Sequence, residues 1–197
     1  MVYTSPIQTL NILSLSNGMP QSSPSLELAL LGFLREQAIH GYALHQELSD
    51  PRGLGPVWQI KLGHLYALLG KLEEAGYAST TIEPQENKPP RKLYHLTEEG
   101  ERAFLSWVRQ PVRHGRSLRL EFLVKLYFAR MEGEDAAGDL LAAQRRQCRG
   151  WLATEEGIVV EETKRGRRYS RLVHQFRCGQ IQAMLDWLDS CEGALNE

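Results

Sequence analysis

Apolar residues between positions 25 and 49 recur with the 3.6-residue period of an α-helix. Ser25 is a candidate N-cap for a first helix, and the apolar positions that follow it are Leu26, Ala29, Leu30, Phe33 and Leu34, with Leu28 and Leu31 widening the stripe. Because this run is apolar nearly all round, we predict a buried, central helix. His40–Ser49 repeats the period through Tyr42, Ala43 and Leu48 and stops before Pro51, since proline disfavours helix at the preceding residue.

A third amphipathic run, Lys61–Gly76, separates an apolar side from a small, basic one. At about 100° per residue, the apolar side gathers Leu62, Leu65, Tyr66, Leu69 and Leu72. The other side carries Gly63, His64, Ala67 and Lys71, with Lys61 near its edge and no carboxylate. Such a face suits a DNA major groove about 12 Å wide, because neither bulk nor negative charge opposes the phosphates. An ordinary surface helix is the alternative. Gly76 is a plausible C-cap.

Two β-prone runs follow this helix, Tyr77–Glu83 and Arg91–Leu96. The stretch between them, PQENKPP, contains three prolines, which cannot donate ladder hydrogen bonds, so we expect a turn or wing tip there. Cations cluster at the tip and on the return strand: Lys88, Arg91, Lys92 and His95. A hairpin of this kind can hold a phosphate backbone without reading its sequence, or it can simply be a solubilising surface hairpin. The order helix, glycine stop and basic hairpin favours a winged helix-turn-helix that binds double-stranded DNA.

The C-terminal half of the chain predicts further helices. Thr97 is a suitable N-cap for a helix that runs until Pro111, and the basic stretch Val112–Leu118 is loop-like, typical of a domain boundary. Three helical segments follow: Leu118–Met131, Glu134–Thr163 and Arg167–Cys191. Long amphipathic helices need a packing partner, so we expect an antiparallel helical pair that packs against its copy. Such a dimer would space two recognition helices about one DNA turn, 34–36 Å, apart. The predicted organisation is a flexible extension (1–24), a winged helix-turn-helix (25–110) and a helical dimerisation domain (117–191).

Composition narrows the function without deciding it. The net charge of −1 gives no support to nucleic-acid binding, so the local absence of acids from 61 to 71 and from 88 to 95 must carry that hypothesis. Three widely spaced cysteines suggest reduced thiols in a cytoplasm. No apolar stretch predicts a transmembrane helix. We find no catalytic motif and no metal-ligand spacing, so neither an enzyme nor a metal or other cofactor is expected.

Three motifs in this order resemble the PadR family of bacterial transcriptional regulators. They are GYAL at 41–44, LYALLGKLEEAGY at 65–77 and PPRKLYHLTEEGE at 89–101. The resemblance covers roughly residues 25–105, and the C-terminal part looks like the larger helical dimerisation region of one PadR subgroup. It implies a mainly α fold with a small β-wing, and a homodimer that represses transcription at an inverted-repeat operator until a small molecule or another signal releases it.

The resemblance places 65–72 in the recognition helix and 89–96 in the wing. The residues that we expect to contact DNA are Lys61, His64, Tyr66, Ala67 and Lys71 on the helix, and Lys88, Arg91 and Lys92 on the wing. Gly70 interrupts the predicted recognition helix, because a glycine inside a helix is about 1 kcal/mol less favourable than alanine. A protein-interaction module that never meets DNA is the alternative function. A small aromatic effector could bind among Trp107, Tyr127, Trp151 and Trp187, although such residues are more often simply core.

Overall fold

The computed structural model describes residues 24–85 and 88–195, and these form a mainly α fold with a small antiparallel sheet. This confirms the predicted fold class. The predicted flexible extension lies outside the described residues, except for Pro24, which begins the first helix. Because helix α1 spans Pro24–Glu27, Ser25 lies inside a helical turn, and its prediction as an N-cap was wrong.

The N-terminal half contains the elements of a winged helix-turn-helix. After α1 come α2 (Ala29–Glu36), β1 (Ile39–His40), α3 (Gly41–Leu48), α4 (Leu62–Glu74), β2 (Ala78–Gln85), β3 (Lys88–Leu96) and α5 (Glu98–Val108). Every residue of α2 from 29 to 34 is buried, which confirms the central helix. Gly76 ends α4 with φ of +76°, a conformation that glycine adopts without a steric penalty.

The sheet has the strand order β1-β3-β2, with β3 in the centre. β1 was not predicted, because two residues are too short to show an alternating pattern; Ile39 pairs with Tyr94. The wing strands extend beyond the predicted ends, since Gln85 pairs with Lys88. The prolines lie in the irregularity between this pair and the preceding one, Glu83 with Arg91, where no regular ladder hydrogen bond is required.

The C-terminal half consists of a 3₁₀ helix (Gly115–Arg119), α6 (Glu121–Glu132), α7 (Glu134–Lys164) and α8 (Arg168–Leu195). The three predicted helical segments agree with α6, α7 and α8 to within a few residues at most ends. α7 and α8 run antiparallel, because Arg145 pairs with Asp189 near one end and Glu162 with Arg167 at the other. No helix in the described ranges is long and apolar enough to cross a membrane.

A single hydrophobic core runs from α2 to α8. At its centre the ring of Phe128 on α6 packs edge-on against Phe33 of α2 and Phe104 of α5, with centroid distances of 5.3 Å in both cases. The connector 109–120, of which Val112–Leu118 was predicted as a loop, contains the 3₁₀ helix and is itself anchored. Val112 is buried, and its N–H donates to the side-chain oxygen of buried Gln144 on α7 at 2.7 Å. The two halves of the chain are therefore packed together through this connector.

Candidate nucleic-acid interface

Helix α4 presents its small and basic residues to solvent. Its buried residues are Leu65, Leu68, Leu69 and Leu72. The predicted recognition residues on the outer surface are all exposed: Lys61, His64, Tyr66, Ala67 and Lys71. This arrangement leaves a full helix length accessible to a ligand as wide as a DNA groove.

Two details of the predicted α4 faces were wrong. Leu68 replaces Leu62 and Tyr66 in the buried stripe: Leu62 is half-buried and Tyr66 is 43% exposed. The physical reason is that the buried stripe is centred between Leu65 and Leu72, so that Tyr66, about 100° round from Leu65, falls on its flank. In addition, exposed Glu74 follows Ala67 by two helical turns, so the outer face ends in a carboxylate.

Tyr66 packs against the first turn of α3 through Gly41. A Cβ atom on Gly41 would lie 2.5 Å from Cε1 of the Tyr66 ring, closer than real contacts allow. The glycine of the GYAL motif therefore has a steric reason: it lets the Tyr66 ring approach the α3 backbone. This contact holds Tyr66 against the first turn of α3.

The elements around Tyr66 border a groove with a volume of about 540 Å³. We call it the helix–wing groove; the residues that line it and bear on function are His40, Gly41, Tyr42, Tyr66, Arg91 and Lys92. Tyr42 is 58% exposed. The sequence interpretation placed it in the apolar stripe of α3, but the buried residues of that helix are Gly41, Leu44 and Leu48. The usable signal was the Leu44–Leu48 spacing, from which Tyr42 points away.

Two of the predicted DNA-contacting lysines are already paired with carboxylates. Lys92 donates to Glu73 at 2.9 Å, and Glu73 also accepts from the Thr80 hydroxyl at 2.6 Å. The pKa of Glu73 is lowered by the Thr80 and Lys92 hydrogen bonds, and the pKa of Lys92 is raised by Glu73. Lys71 donates to Glu27 of α1 at 3.0 Å. Both lysines therefore bring less net positive charge than the sequence indicated.

Lys61 and Arg91 are the other charged members of the predicted set. Both are exposed, and neither forms an ion pair with a described side chain of residues 26–84 or 90–191. Lys88 begins β3, but its side chain lies outside the described set. Lys61 at the start of α4 and Arg91 on the wing are thus cations available to a phosphate.

Two histidines next to the groove have structural partners. His40 joins the wing through its two ring nitrogens, with Nδ1 3.0 Å from the Lys92 carbonyl oxygen and Nε2 3.1 Å from a Glu83 carboxylate oxygen. His45 Nε2 lies 2.9 Å from the Ile60 carbonyl oxygen. These contacts hold the base of the wing and the segment before α4 against α3.

The four aromatic residues predicted to form an effector pocket lie in separate places. Trp107 is core, with the Lys125 ammonium 5.1 Å from its ring centroid. Tyr127 packs on Phe128 and borders a different surface from the others. Trp187 lies edge-on to Phe122 and is partly exposed, whereas Trp151 lines a cavity between α7 and α8. The structure therefore does not gather them into one pocket.

Comparison with known proteins identifies both halves of the chain. Residues 30–106 match the model of the transcriptional regulator PadR-like family, and residues 118–196 match that of the virulence activator alpha C-terminal region. The negative transcriptional regulator PadR of Bacillus subtilis (strain 168) is 28% identical over 134 residues, which cover 67% of this chain and 71% of that protein. A probable transcriptional regulator of Mycobacterium tuberculosis is 28% identical over 191 residues, covering 88% and 98%.

The comparison with solved structures includes two of Bacillus subtilis PadR. The crystal structure of Bacillus subtilis PadR in complex with operator DNA has a TM-score of 0.43 and 24% identity, covering 86% of this chain and 98% of that one. The complex of the same protein with p-coumaric acid has a TM-score of 0.39 and 24% identity, covering 88% and 99%. Residues 30–106 of this chain therefore form a domain of the PadR-like family of transcriptional regulators.

Proposed function

We propose that this chain is a dimeric DNA-binding repressor that binds its operator with the exposed face of α4 and with the wing strand β3, on either side of the helix–wing groove. The observation that carries the proposal is that α4 and β3 lie next to each other, joined by the Glu73–Lys92 ion pair, while Lys61 and Arg91 are free of ion pairs among the described side chains. Family membership supports it, and the relative from Bacillus subtilis named as a negative regulator supports repression.

In this proposal α4 enters the major groove. His64 and Ala67 face base edges, while Lys61 and Lys71 lie beside the phosphates at the two ends of the helix. Arg91, Lys92 and Lys88 contact the neighbouring backbone from the wing. In addition, the hydroxyls of Tyr66 and Tyr42, at the edge of the helix–wing groove, donate hydrogen bonds to phosphate oxygens.

The dimer forms in this proposal through α8. One side of α8 packs on α7 through Ile181, Leu185 and Leu188, which are buried. Another side is uncovered although apolar, and its exposed members follow one another by three or four residues: Tyr169, Leu172, Phe176, Gly179, Ala183 and Trp187. This stripe is about 27 Å long at 1.5 Å per residue. The side chain of Phe176 is 66% exposed. Exposing so large an apolar side chain to water is unfavourable unless another molecule covers it.

The charges of α8 indicate what covers the stripe. The cations lie in its first half, at Arg168, Arg171 and Arg177, and the acids of 168–191 in its second, at Asp186 and Asp189. Two of these also pair with α7 of the same chain, Arg177 with Glu155 and Asp189 with Arg145, so Arg168 and Asp186 carry most of this charge pattern. A second copy of α8 that packs antiparallel therefore places each basic half against an acidic half. A twofold contact uses the same patch on both chains, and it presents two helix–wing grooves to the two halves of an inverted repeat.

Fluorescence anisotropy tests DNA binding. The protein is titrated onto its own promoter fragment and onto a scrambled duplex of equal composition, across a salt series. We expect tight, salt-dependent binding to the promoter with two chains per site, and weaker binding to the scrambled duplex. Absence of binding to either duplex at low salt would overturn the proposal and favour a protein-interaction module.

Light scattering after size exclusion tests the dimer. We expect the native protein at twice the 22.4 kDa of one chain, and Phe176→Glu as a monomer with weak promoter affinity. Gln175→Glu adds the same charge at the adjacent exposed position and should remain dimeric. A dimeric Phe176→Glu protein would show that α8 does not pair the chains.

A further inference from the structure

His40, at the edge of the helix–wing groove, has an oxygen atom in front of each of its ring nitrogens. Nδ1 lies 3.0 Å from the backbone carbonyl oxygen of Lys92 on β3, and Nε2 lies 3.1 Å from a carboxylate oxygen of Glu83 on β2. A carbonyl and an ionised carboxylate only accept hydrogen bonds, and a neutral imidazole has a single N–H. The imidazolium, which carries an N–H on both nitrogens, is therefore the form of the ring that suits both oxygens at once.

Two neighbouring histidines do not have this requirement. His45 Nε2 faces the carbonyl oxygen of Ile60 at 2.9 Å, and His95 Nε2 lies 2.8 Å from the Thr81 hydroxyl. The single N–H of a neutral ring satisfies the first contact. The second contact fits either protonation state, because a hydroxyl can donate as well as accept. Of these three histidines, His40 is the one whose contacts depend on its charge.

The other charged and titratable groups around His40 come from α3, α4 and β3. Arg91 and Lys92 of β3 oppose an imidazolium by like charge, although Lys92 is itself paired with Glu73. The remaining groups are phenols, which are neutral near pH 7: Tyr42, Tyr66 and Tyr94. Glu83 is thus the carboxylate that lies against the ring and stabilises its charged form.

The contact with His40 also decides what Glu83 does on the wing. Glu83 and Arg91 are paired across β2 and β3, a position at which opposite charges attract. Arg91 nevertheless forms no ion pair with any side chain that the structure describes, and Glu83 lies against His40 instead. The Glu83 side chain is 50% exposed, so it has room to turn to Arg91 once the ring loses its charge.

We propose that His40 is a positioning residue whose protonation keeps Arg91 available to DNA. The imidazolium holds the Glu83 carboxylate away from Arg91, which then meets the phosphates with its full charge. In the neutral ring that donates to Lys92, a lone pair on Nε2 faces the carboxylate. Glu83 then turns to Arg91, and the wing loses a phosphate contact. Because histidine changes charge between pH 5 and 8, the affinity for DNA falls as the pH rises through this range.

The charge of the ring is tested without DNA, by nitrogen-15 NMR of the histidine side chains in the full chain. The two nitrogens of an imidazolium give nearly equal shifts, whereas those of a neutral ring differ widely because one of them has no proton. We expect equal shifts for His40 at pH 6 and separate shifts at pH 8. A ring that is neutral at pH 6, or whose charge is the same at both pH values, would overturn the proposal.

The effect on DNA rests on the proposed function and is tested by anisotropy on the promoter fragment at pH 6 and pH 8. One phosphate contact is worth about eightfold in affinity at about 0.1 M salt, the factor that a slope of 0.9 gives. We therefore expect the promoter Kd of the native protein to rise at least eightfold from pH 6 to pH 8. Titration of His64 on α4 contributes equally to all the proteins compared and cancels from the comparison.

Two variants should lose most of this rise from opposite sides. His40→Gln should bind weakly at both pH values, as the native protein does at pH 8, because the ring charge is gone. Glu83→Gln should bind tightly at both, because its amide neither neutralises Arg91 nor repels a neutral ring. His114→Gln, which replaces an exposed histidine of the connector, is the matched control and should keep the native ratio of the two Kd values.

A native Kd ratio in Glu83→Gln would overturn the proposal, as would its loss in His114→Gln. A His40→Gln protein with a lower melting temperature but the native Kd ratio would make His40 merely structural and would also overturn it. If the native protein bound the promoter at neither pH while His40 gave equal nitrogen shifts at pH 6, the DNA-binding function and the effect on DNA would both be refuted, and the charge of the ring would stand.

Discussion

The ion pair between Lys92 and Glu73 gives the sharpest test of whether the wing contacts DNA phosphates. The two groups are 2.9 Å apart, and the pair joins α4 to the wing strand β3, where Lys92 lines the helix–wing groove. A lysine that is already paired with a carboxylate adds little net positive charge to a surface that faces phosphates. Replacing Glu73 with glutamine removes the negative charge and keeps an oxygen for the Thr80 hydroxyl, so the change is electrostatic rather than structural.

The magnitude follows from counterion release. The slope of log K against log salt changes by about 0.9 for each phosphate neutralised. A dimer carries each substitution twice, so Glu73→Gln should steepen the slope by up to about 1.8 and Lys92→Gln should flatten it by up to about the same amount. Between 50 and 200 mM salt, a slope difference of this size corresponds to roughly a twelvefold difference in the loss of affinity.

The assay is anisotropy on the promoter fragment at four or more salt concentrations. Glu134→Gln, which removes the same charge from the exposed start of α7, controls for net charge and should leave the slope unchanged. The double variant Glu73→Gln with Lys92→Gln should restore the native slope. If Glu73→Gln and Glu134→Gln gave the same slope, Lys92 would not contact a phosphate and the wing would need another role.

Three further substitutions test single contacts in the groove, the connector and the α5 cap. Gly41→Ala should displace the Tyr66 ring, because its Cβ would lie 2.5 Å from Cε1; promoter affinity should fall severalfold with little change in melting temperature, and an unchanged affinity would remove Tyr66 from the interface. Gln144→Leu leaves the buried N–H of Val112 without its acceptor, so urea unfolding should show a loss of about 1–3 kcal/mol, and a neutral result would mean that the connector is not anchored there. Thr97→Ala removes the hydroxyl that accepts from the Gly100 N–H at 3.0 Å; unfolding should show a loss of about 1 kcal/mol, which Thr97→Ser should largely avoid.

Periodicity predicted the long elements, because an amphipathic pattern that persists over many residues admits few alternatives. α7 and α8 follow the predicted segments, and Thr97 caps α5 as its residue type indicated. The apolar period also predicted the outer face of α4 but not the edges of that face, since the placement of Tyr66 depends on where α3 packs. β1 was missed because its identity comes only from pairing with a strand about 55 residues later in the chain.

Charge was the property that the sequence predicted least well. Glu27 and Lys71 are 44 residues apart, and Glu73 and Lys92 are 19 apart; neither spacing identifies a pair. The composition of the groove therefore appeared more basic than the folded surface is. In the same way, no sequence spacing relates Arg116 and Arg119 to Arg177, and only the packing of the 3₁₀ helix against α8 brings them to one cavity.

The pairing of Lys71 and Lys92 has a consequence for specificity. Sequence-independent affinity for DNA grows with the number of cations that reach phosphates, and on this surface two of the predicted helix and wing lysines are held by acids of the same chain. A single chain should therefore bind random DNA weakly, and selectivity must come from base contacts of α4 doubled by the second subunit. Selective DNA binding therefore depends on the α8 contact: a variant that stays monomeric should lose most of its promoter affinity while its affinity for a scrambled duplex changes far less. Equal losses on both duplexes would show that phosphate contacts, rather than paired base readout, dominate the complex.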